Sequence, residues 1–331
     1  MRVFLTGGTG FIGQRLTRVM RDRGWEVTAL VRRPDSQPAS AIQDMGAQLV
    51  RGDILDPESM RGAMQGADAV IHNAGWYDVG VRKKEFEKVR ATNATGVAIT
   101  IGLAVELGIP RIVHVSTIAV FGDTGGAVAD ETFQRINPPR TIYEETKTEG
   151  HAIAVRAQEQ GAPVIIVCPA GVIGPGDHTE TGHFARMYVR GILMPIFVFE
   201  HGSRGVVHVD DLAEAVALVV ETGKVGETYI LSGGNIGYWD QSRVWAQTPG
   251  GMKPRIAIPD SVLRMMCIVS EPILRVLGLP IVFSRGLYAS GTGRYLVSAE
   301  KAERELGARF REPEQAWLDT LAAERAIAKG Q

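Results

Sequence analysis

Short apolar runs alternate with amphipathic stretches along the first half of the chain. A strand buried on both faces reads as a continuous apolar run, whereas a helix covering the sheet is apolar along one stripe only. The alternation therefore predicts an α/β fold with a doubly wound parallel sheet. The predicted strands are residues 3–6, 26–31, 48–51, 69–72, 112–116 and 164–168, and the predicted helices are residues 11–23, 57–65, 82–107 and 142–160.

The pattern changes after Pro169, where proline and glycine become frequent and the segments irregular, before a last helical pattern at residues 298–306. We therefore predict a first domain of residues 1–168, joined by returning segments near 205–235. Residues 169–204 and 236–331 are predicted to form a smaller, mostly C-terminal substrate lobe. Residues 262–283 are apolar but carry charges and prolines, which predicts core or lid and not a membrane span.

Charge and cysteine content exclude several classes of protein. The 36 Lys and Arg residues nearly cancel the 37 Asp and Glu residues, so the chain has no field suited to nucleic acid. Two cysteines, far apart in sequence, suggest neither a disulfide framework nor a metal site. The chain begins with a strand pattern and no signal-peptide pattern, so we expect a cytoplasmic protein. No second His or carboxylate lies at ligand spacing from His208 and Asp210, so we expect no metal.

A glycine-rich turn follows the first predicted strand and opens the first predicted helix. Glycines at this spacing allow a tight turn and a close approach of the backbone to a pyrophosphate, which the helix N-terminus attracts. This context predicts a Rossmann-type dinucleotide site. Its residues are Gly7, Thr9, Gly10, Phe11, Ile12 and Gly13, and the small residues Asn73, Ala74 and Gly75 after the fourth strand are predicted to contact the same cofactor.

The residues after the second strand indicate which dinucleotide is bound. An acidic residue would suit the ribose hydroxyls of NAD, but here Val31 is followed by Arg32 and Arg33, which suit the 2'-phosphate of NADP. The alternative is that Arg32 and Arg33 belong to a solvated basic loop that does not bind a phosphate. Asp53 and Ile54 are predicted to bind adenine, although an Asp in a turn is also a normal cap.

Tyr143 and Lys147 lie four residues apart, on one face of a predicted helix. An ammonium group and an oxidised nicotinamide favour the phenolate, so Tyr143 is predicted to exchange a proton with a carbinol oxygen. At the end of the fifth strand Thr117, in preference to Ser116, is predicted to orient that oxygen. Alone, the pair could be a surface feature; its position after the fifth strand favours catalysis.

The chain resembles the extended short-chain dehydrogenase/reductase superfamily, in its epimerase/dehydratase group, over nearly its whole length. The motifs that carry the resemblance are the turn at residues 6–13, Gly52-Asp53-Ile54, Asn93, Ser116-Thr117 with residues 119–122, Tyr143 with Lys147, residues 174–177, and Arg204 with residues 208–211. The resemblance implies that Thr117, Tyr143 and Lys147 are catalytic and that Lys147 also holds the nicotinamide ribose. It adds Asn93, Pro169 and Val172 to the cofactor contacts, and implies a homodimer formed by helices 82–107 and 142–160.

The residues after the sixth strand distinguish branches of this superfamily. Nucleotide-sugar members carry Arg-Pro-x-Asn there, whereas this chain has Cys168, Pro169, Ala170 and Gly171, as in dihydroflavonol-reductase-like and hydroxysteroid-dehydrogenase-like members. The resemblance implies that Trp76, Tyr77 and Gly171 contact substrate, with Asp78 nearby. An apolar pocket is predicted from Met187, Tyr188, residues 192–199, Met265, Met266 and Ile268, although the same residues could form the core of the lobe.

We therefore expect an NAD(P)-dependent oxidoreductase, with NADP preferred, that transfers hydride to or from a carbonyl or secondary alcohol of an apolar small molecule. One alternative is a nucleotide-sugar epimerase or dehydratase with retained NAD. The other is a non-catalytic dinucleotide-binding regulator, since a fold does not dictate activity.

Overall fold

The computed structural model describes residues 1–77, 81–192, 197–199, 201–276, 288–289 and 291–330. Its strands are β1 Arg2–Thr6, β2 Glu26–Val31, β3 Gln48–Arg51, β4 Ala69–His72, β5 Ile112–Val115, β6 Val164–Pro169, β7 Gly171–Ile173, β8 Phe197–Phe199, β9 Ser203–His208, β10 Thr228–Leu231, β11 Asn235–Gly237, β12 Ile256–Ile258 and β13 Arg294–Tyr295. Its α-helices are α1 Phe11–Asp22, α2 Gln37–Asp44, α3 Pro57–Met64, α4 Phe86–Arg90, α5 Gly96–Glu106, α6 Ile142–Glu159, α7 Glu180–Val189, α8 Val209–Thr222, α9 Tyr238–Trp245, α10 Asp260–Val276, α11 Glu300–Leu306 and α12 Pro313–Ala328.

The main sheet is parallel and confirms the predicted Rossmann-type α/β fold. Its strand order is β10-β6-β5-β4-β1-β2-β3, so the order reverses between β4 and β1. All six predicted strands occur, with bounds within one residue, and β10 adds a seventh strand next to β6. A crevice at the carboxyl ends of the strands is expected where the order reverses, because the connections leave in opposite directions.

The prediction of one continuous α-helix at residues 82–107 is wrong. The segment forms a 3₁₀ turn at Lys83–Glu85, then α4, a π-helical turn at Ala91–Thr95, and α5. Helix α6 crosses at the π-helical turn, where a Cβ added to Gly150 would lie 2.1 Å from the Asn93 carbonyl oxygen. The π-helical turn thus lies where the two helices are in close contact. Hydrophobic periodicity does not reveal such a turn.

The later part of the chain contributes a second, smaller core. Strand β9 pairs with β11, β13 and β7, and β12 pairs with β8. Trp317 of α12 packs on Trp245, and Trp245 packs on Tyr188, with ring centroids 5.0 and 5.1 Å apart. Tyr188 is therefore a core residue, and its predicted position in a substrate pocket is wrong.

Residues 262–276, predicted to be core or lid, lie in helix α10 and are only partly core. Leu263 and Cys267 are fully buried, but Met265, Met266 and Ile268 are exposed, so these three neither fill the core nor line a pocket. Residues 277–283 lie outside the described part of the chain. No helix in the described ranges has the length and hydrophobicity to cross a membrane.

Candidate active site

A cleft of about 600 Å³ opens where the strand order reverses. It is lined by these residues singled out from the sequence: Gly7, Thr9, Gly10, Phe11, Ile12, Arg32, Asp53, Ile54, Asn73, Ala74, Gly75, Tyr77, Ser116, Thr117, Tyr143, Pro169, Gly171 and Val172. Gly13, Arg33, Trp76, Asn93 and Lys147 are not part of its wall, and Asp78 lies outside the described residues. One continuous cleft therefore joins the glycine turn to the Tyr143 region.

The glycine turn fits against its neighbours without room for side chains. Gly7 has φ +71°, and a Cβ there would lie 2.7 Å from Ala74 N; a Cβ on Gly13 would lie 2.1 Å from Gly7 O. Helix α1 follows Gly10, which provides no side-chain cap, and its first turn contains no acidic residue. The backbone N–H groups of this turn are thus available to an anion such as a pyrophosphate.

Arg32 is exposed at the end of β2 and lines the cleft, whereas Arg33 lies outside the wall. Within the described residues neither guanidinium has a hydrogen-bond or ion-pair partner. Asp53 Oδ1 accepts a 3.0 Å hydrogen bond from Leu55 N, as in a capping turn, and Asp53 also faces the cleft. Ile54 packs closely on α5, since a Cβ on Gly96 would lie 2.5 Å from Ile54 Cδ1.

The segment after β4 is held by side-chain amides. Asn73 Nδ2 donates to Gly7 O at 3.2 Å. Asn93, which is buried, accepts from Trp76 N at 2.7 Å and donates to Trp76 O at 3.0 Å and to Thr146 Oγ1 at 3.1 Å. Asn93 therefore positions the backbone of the cleft wall at Trp76 without lining the cleft itself.

The two hydroxyl residues after β5 have different surroundings. Thr117 hydrogen-bonds to Tyr143, and its Oγ1 also accepts from Ala119 N at 3.2 Å. Ser116 Oγ lies 3.0 Å from His151 Nδ1 and is buried. Of the two side chains, Thr117 is thus the one that contacts the tyrosine.

Burial raises the pKa of Tyr143 to about 12, and the hydrogen bond with Thr117 only partly offsets it. Lys147 is buried behind the cleft, where its Nζ donates to Val115 O at 3.0 Å. Burial lowers the pKa of Lys147 to about 8. The phenol of Tyr143 therefore carries its proton at pH 7.

Four further residues close the far end of the cleft: Thr181, Arg204, Tyr238 and Tyr295. The Arg204 guanidinium lies 5.5 Å above the Tyr238 ring, and its Nη1 donates to Thr181 Oγ1 at 3.3 Å. Tyr77 meets Tyr143 edge to face, with ring centroids 4.8 Å apart. Arg204 is part of a sequence motif, whereas no sequence pattern indicated Tyr238 and Tyr295, because they reach the cleft from separate segments late in the chain.

No group of three His, Cys, Asp or Glu side chains with the arrangement of a metal site occurs in the described ranges. Several histidines lie behind the cleft instead. His72 and His114 stack with centroids 5.7 Å apart, and burial lowers the pKa of both imidazoles. These rings are therefore neutral at pH 7.

Comparisons with known proteins agree with this geometry. Residues 3–232 match the model of the NAD dependent epimerase/dehydratase family. A protein of Synechocystis sp. that carries the provisional name dihydroflavonol 4-reductase is 31% identical, over 96% of this chain and 93% of its own. A ketoreductase of Stigmatella aurantiaca, named for a farnesyl dihydroquinoline-oxide, is 28% identical over 97% of this chain and 96% of its own.

A crystal structure named gox2253 superposes with a TM-score of 0.83 and 31% identity, over 99% of this chain and 98% of that one. Several relatives are named as reductases or dehydratases, so these comparisons give no support to the alternative of a non-catalytic dinucleotide-binding regulator. With the match of the family model to most of the chain, these findings establish that the chain belongs to the NAD-dependent epimerase/dehydratase family, as an oxidoreductase enzyme.

Proposed function

We propose that the protein is an NADP-preferring reductase or dehydrogenase of apolar carbonyl compounds, with Tyr143 as its proton donor. One observation carries the proposal: the Thr117–Tyr143 pair and the uncapped N-terminus of α1 share a single cleft. One end is suited to a dinucleotide phosphate and the other to a carbonyl oxygen.

The residues of the cleft fit a dinucleotide in an extended position. The N–H groups of the first turn of α1 would bind the pyrophosphate, and the Asp53 segment would bind the adenine. Gly75 lies close to Lys147, since a Cβ there would lie 3.6 Å from Asn93 Oδ1 and 3.9 Å from Lys147 Nζ. When bound there, a reduced nicotinamide supplies the hydride, and the protein supplies position and a proton.

Tyr143 is suited to supply that proton. With a pKa near 12 its phenol is protonated at neutral pH, so its proton is available to a carbonyl oxygen that has accepted a hydride. Thr117 would hold the same oxygen in place through its hydroxyl.

The wall around this point favours an apolar substrate. The rings of Tyr77, Tyr238 and Tyr295 line the cleft, together with Gly171. Aromatic rings bind apolar rings and chains over large areas. The relatives named for a flavonoid and a farnesylated compound support the same class.

The cofactor preference is tested by titrating the purified protein with NADPH and NADH, after checking the fresh sample for bound nucleotide. Arg32→Ala is expected to weaken NADPH binding by about 10-fold or more and NADH binding little, because a charge-assisted contact to a 2'-phosphate is lost. Arg33→Ala, outside the cleft wall, is the matched control. Tighter binding of NADH than of NADPH by the unaltered protein would refute the preference.

A nucleotide-sugar epimerase or dehydratase is the second candidate, and Arg204 favours it. Its Nε is buried with no hydrogen-bond acceptor among the described residues, so the guanidinium could bind a substrate phosphate. Arg204→Met should then abolish binding of UDP and dTDP. If the unaltered protein binds neither nucleotide and reduces hydrophobic ketones, the second candidate is excluded.

We also propose a homodimer that acts in the cytoplasm. The exposed side of α5 carries the small or apolar residues Ala98, Gly102 and Val105, which suit close helix packing. Cys168 and Cys267 are free thiols, as in a reducing compartment. Light scattering of the purified chain tests the dimer.

A further inference from the structure

Helix α10 carries an apolar stripe that faces solvent. Met265, Val269, Ile273 and Val276 recur every three or four residues and are 60%, 55%, 53% and 86% exposed. This spacing places them on one side of the helix. The opposite side of the helix packs against the rest of the protein, since Leu263 and Cys267 are fully buried.

The concentration of exposed apolar side chains on this helix is unusual for the molecule. Of the 17 strongly exposed large hydrophobic side chains in the described ranges, seven lie on α10: Val262, Met265, Met266, Ile268, Val269, Ile273 and Val276. Scattered exposed apolar residues are normal, whereas a contiguous patch marks a surface that binds something.

Three exposed cations lie on α10 or shortly before it in the chain. Arg264 is next to Met265 on the helix, and Lys253 and Arg255 precede β12. Of the acidic residues on the helix, Asp260 pairs with His201 at 3.6 Å and Glu271 is half-buried. An apolar helix face with exposed cations at this end of the helix complements the surface of a bilayer with anionic headgroups, where acyl chains and phosphates lie in adjacent layers.

We propose that α10 docks the protein onto the surface of an anionic phospholipid bilayer, with its apolar stripe among the acyl chains. The helix has 17 residues and is too short to span a bilayer, so it lies in the plane of the surface.

Docking goes beyond the proposed function and does not depend on it. Strand β12, directly before α10, pairs with β8 in the lobe that also supplies Tyr238 to the cleft. A docked α10 would therefore keep the substrate lobe at the membrane, where apolar compounds dissolve.

The test is flotation of the purified protein with vesicles of phosphatidylcholine alone or with added phosphatidylglycerol. The unaltered protein is expected to float with the phosphatidylglycerol vesicles and less with phosphatidylcholine. The double variant Met265→Glu/Val269→Glu is expected to bind at least about 10-fold more weakly, because two acyl-chain contacts become charges. Ile327→Glu, an equally exposed apolar position on α12, should bind as before.

A second variant, Lys253→Glu/Arg264→Glu, keeps the apolar stripe and is expected to lose the preference for phosphatidylglycerol. Circular dichroism and dinucleotide titration verify that each variant is folded. The proposal is overturned if the unaltered protein floats with neither vesicle, or if the Met265/Val269 variant floats equally well. It is also overturned if that variant converts a dimer into a monomer in light scattering, since the stripe would then join two copies.

Discussion

The Tyr295 hydroxyl donates a 2.7 Å hydrogen bond to Glu144, the residue that follows Tyr143 in helix α6. The Glu144 carboxylate is buried, and its other oxygen accepts from Arg135 Nη2 at 2.5 Å and Arg140 N at 2.9 Å. Strand β13 is thus joined to the first turn of the helix that carries Tyr143, although 151 residues separate Tyr295 from Glu144.

We expect Tyr295→Phe to reduce both stability and turnover. Loss of a hydrogen bond to a buried carboxylate should lower the free energy of unfolding by about 1–3 kcal/mol. Because Glu144 adjoins Tyr143, turnover should fall by several-fold. Urea unfolding and steady-state kinetics measure the two effects.

Tyr188→Phe is the matched control for this prediction. Tyr188 also donates a buried 2.7 Å hydrogen bond, to Trp245 O, but lies in the second core away from the cleft. The Tyr188→Phe variant should have a lower free energy of unfolding and an unchanged turnover. Equal loss of turnover in both variants would show that the Tyr295 contact has no specific role at the site.

Tyr143→Phe is expected to lower turnover by about 10²- to 10⁴-fold while dinucleotide binding stays within a few-fold, because only the transferable proton is lost. Tyr77→Phe keeps the ring that packs on Tyr143 and removes a different hydroxyl, so it should retain most of the activity. Ketone reduction and cofactor titration measure both variants. A Tyr143→Phe enzyme with normal turnover contradicts the assignment of the proton donor.

The rate of reduction should depend on pH through Lys147. Its pKa, lowered by burial to about 8, means that the ammonium is charged below that pH and neutral above it. Tyr143, with a pKa near 12, keeps its proton throughout this range. We therefore expect kcat/KM to be constant below pH 8 and to fall as the pH rises through it, as Lys147 loses its charge.

Lys147→Met is the control for the pH profile. It should fold, since an apolar chain replaces a buried charge, and should be weakly active without an inflection near pH 8. An inflection that persists in Lys147→Met would assign the titration to another group. The measurement is kcat/KM across the range from neutral to alkaline pH.

Two glycine substitutions test the turn at the N-terminus of α1. Gly13→Ala should abolish dinucleotide binding or folding, because the new Cβ would lie 2.1 Å from Gly7 O. Gly62→Ala in α3 meets no atom within 4 Å and should raise the free energy of unfolding by about 0.5–1 kcal/mol. Thermal unfolding and NADPH titration distinguish the two, and a Gly13→Ala protein that binds normally contradicts the tight turn.

The strands and the glycine turn were predictable because their signals are local. A buried parallel strand is apolar at every position, and the turn at Gly7–Gly13 has a fixed spacing between strand and helix. Helix α2 was not predicted, and neither was helix α12, which lies in the irregular second half. For α10 the prediction of core or lid could not say which residues are buried, because hydrophobicity does not reveal which side of a helix meets the protein.

The sequence by itself determined the α/β fold, the family resemblance and the positions of Thr117, Tyr143 and Lys147 along the chain. Only the tertiary structure decided that Asn93 lies behind the cleft wall, and that Arg204, Tyr238 and Tyr295 line the cleft. Periodicity and motif spacing are properties of neighbouring residues, whereas the cleft joins segments more than a hundred residues apart. Burial, which raises the pKa of Tyr143 and lowers that of Lys147, likewise exists only once those segments have packed together.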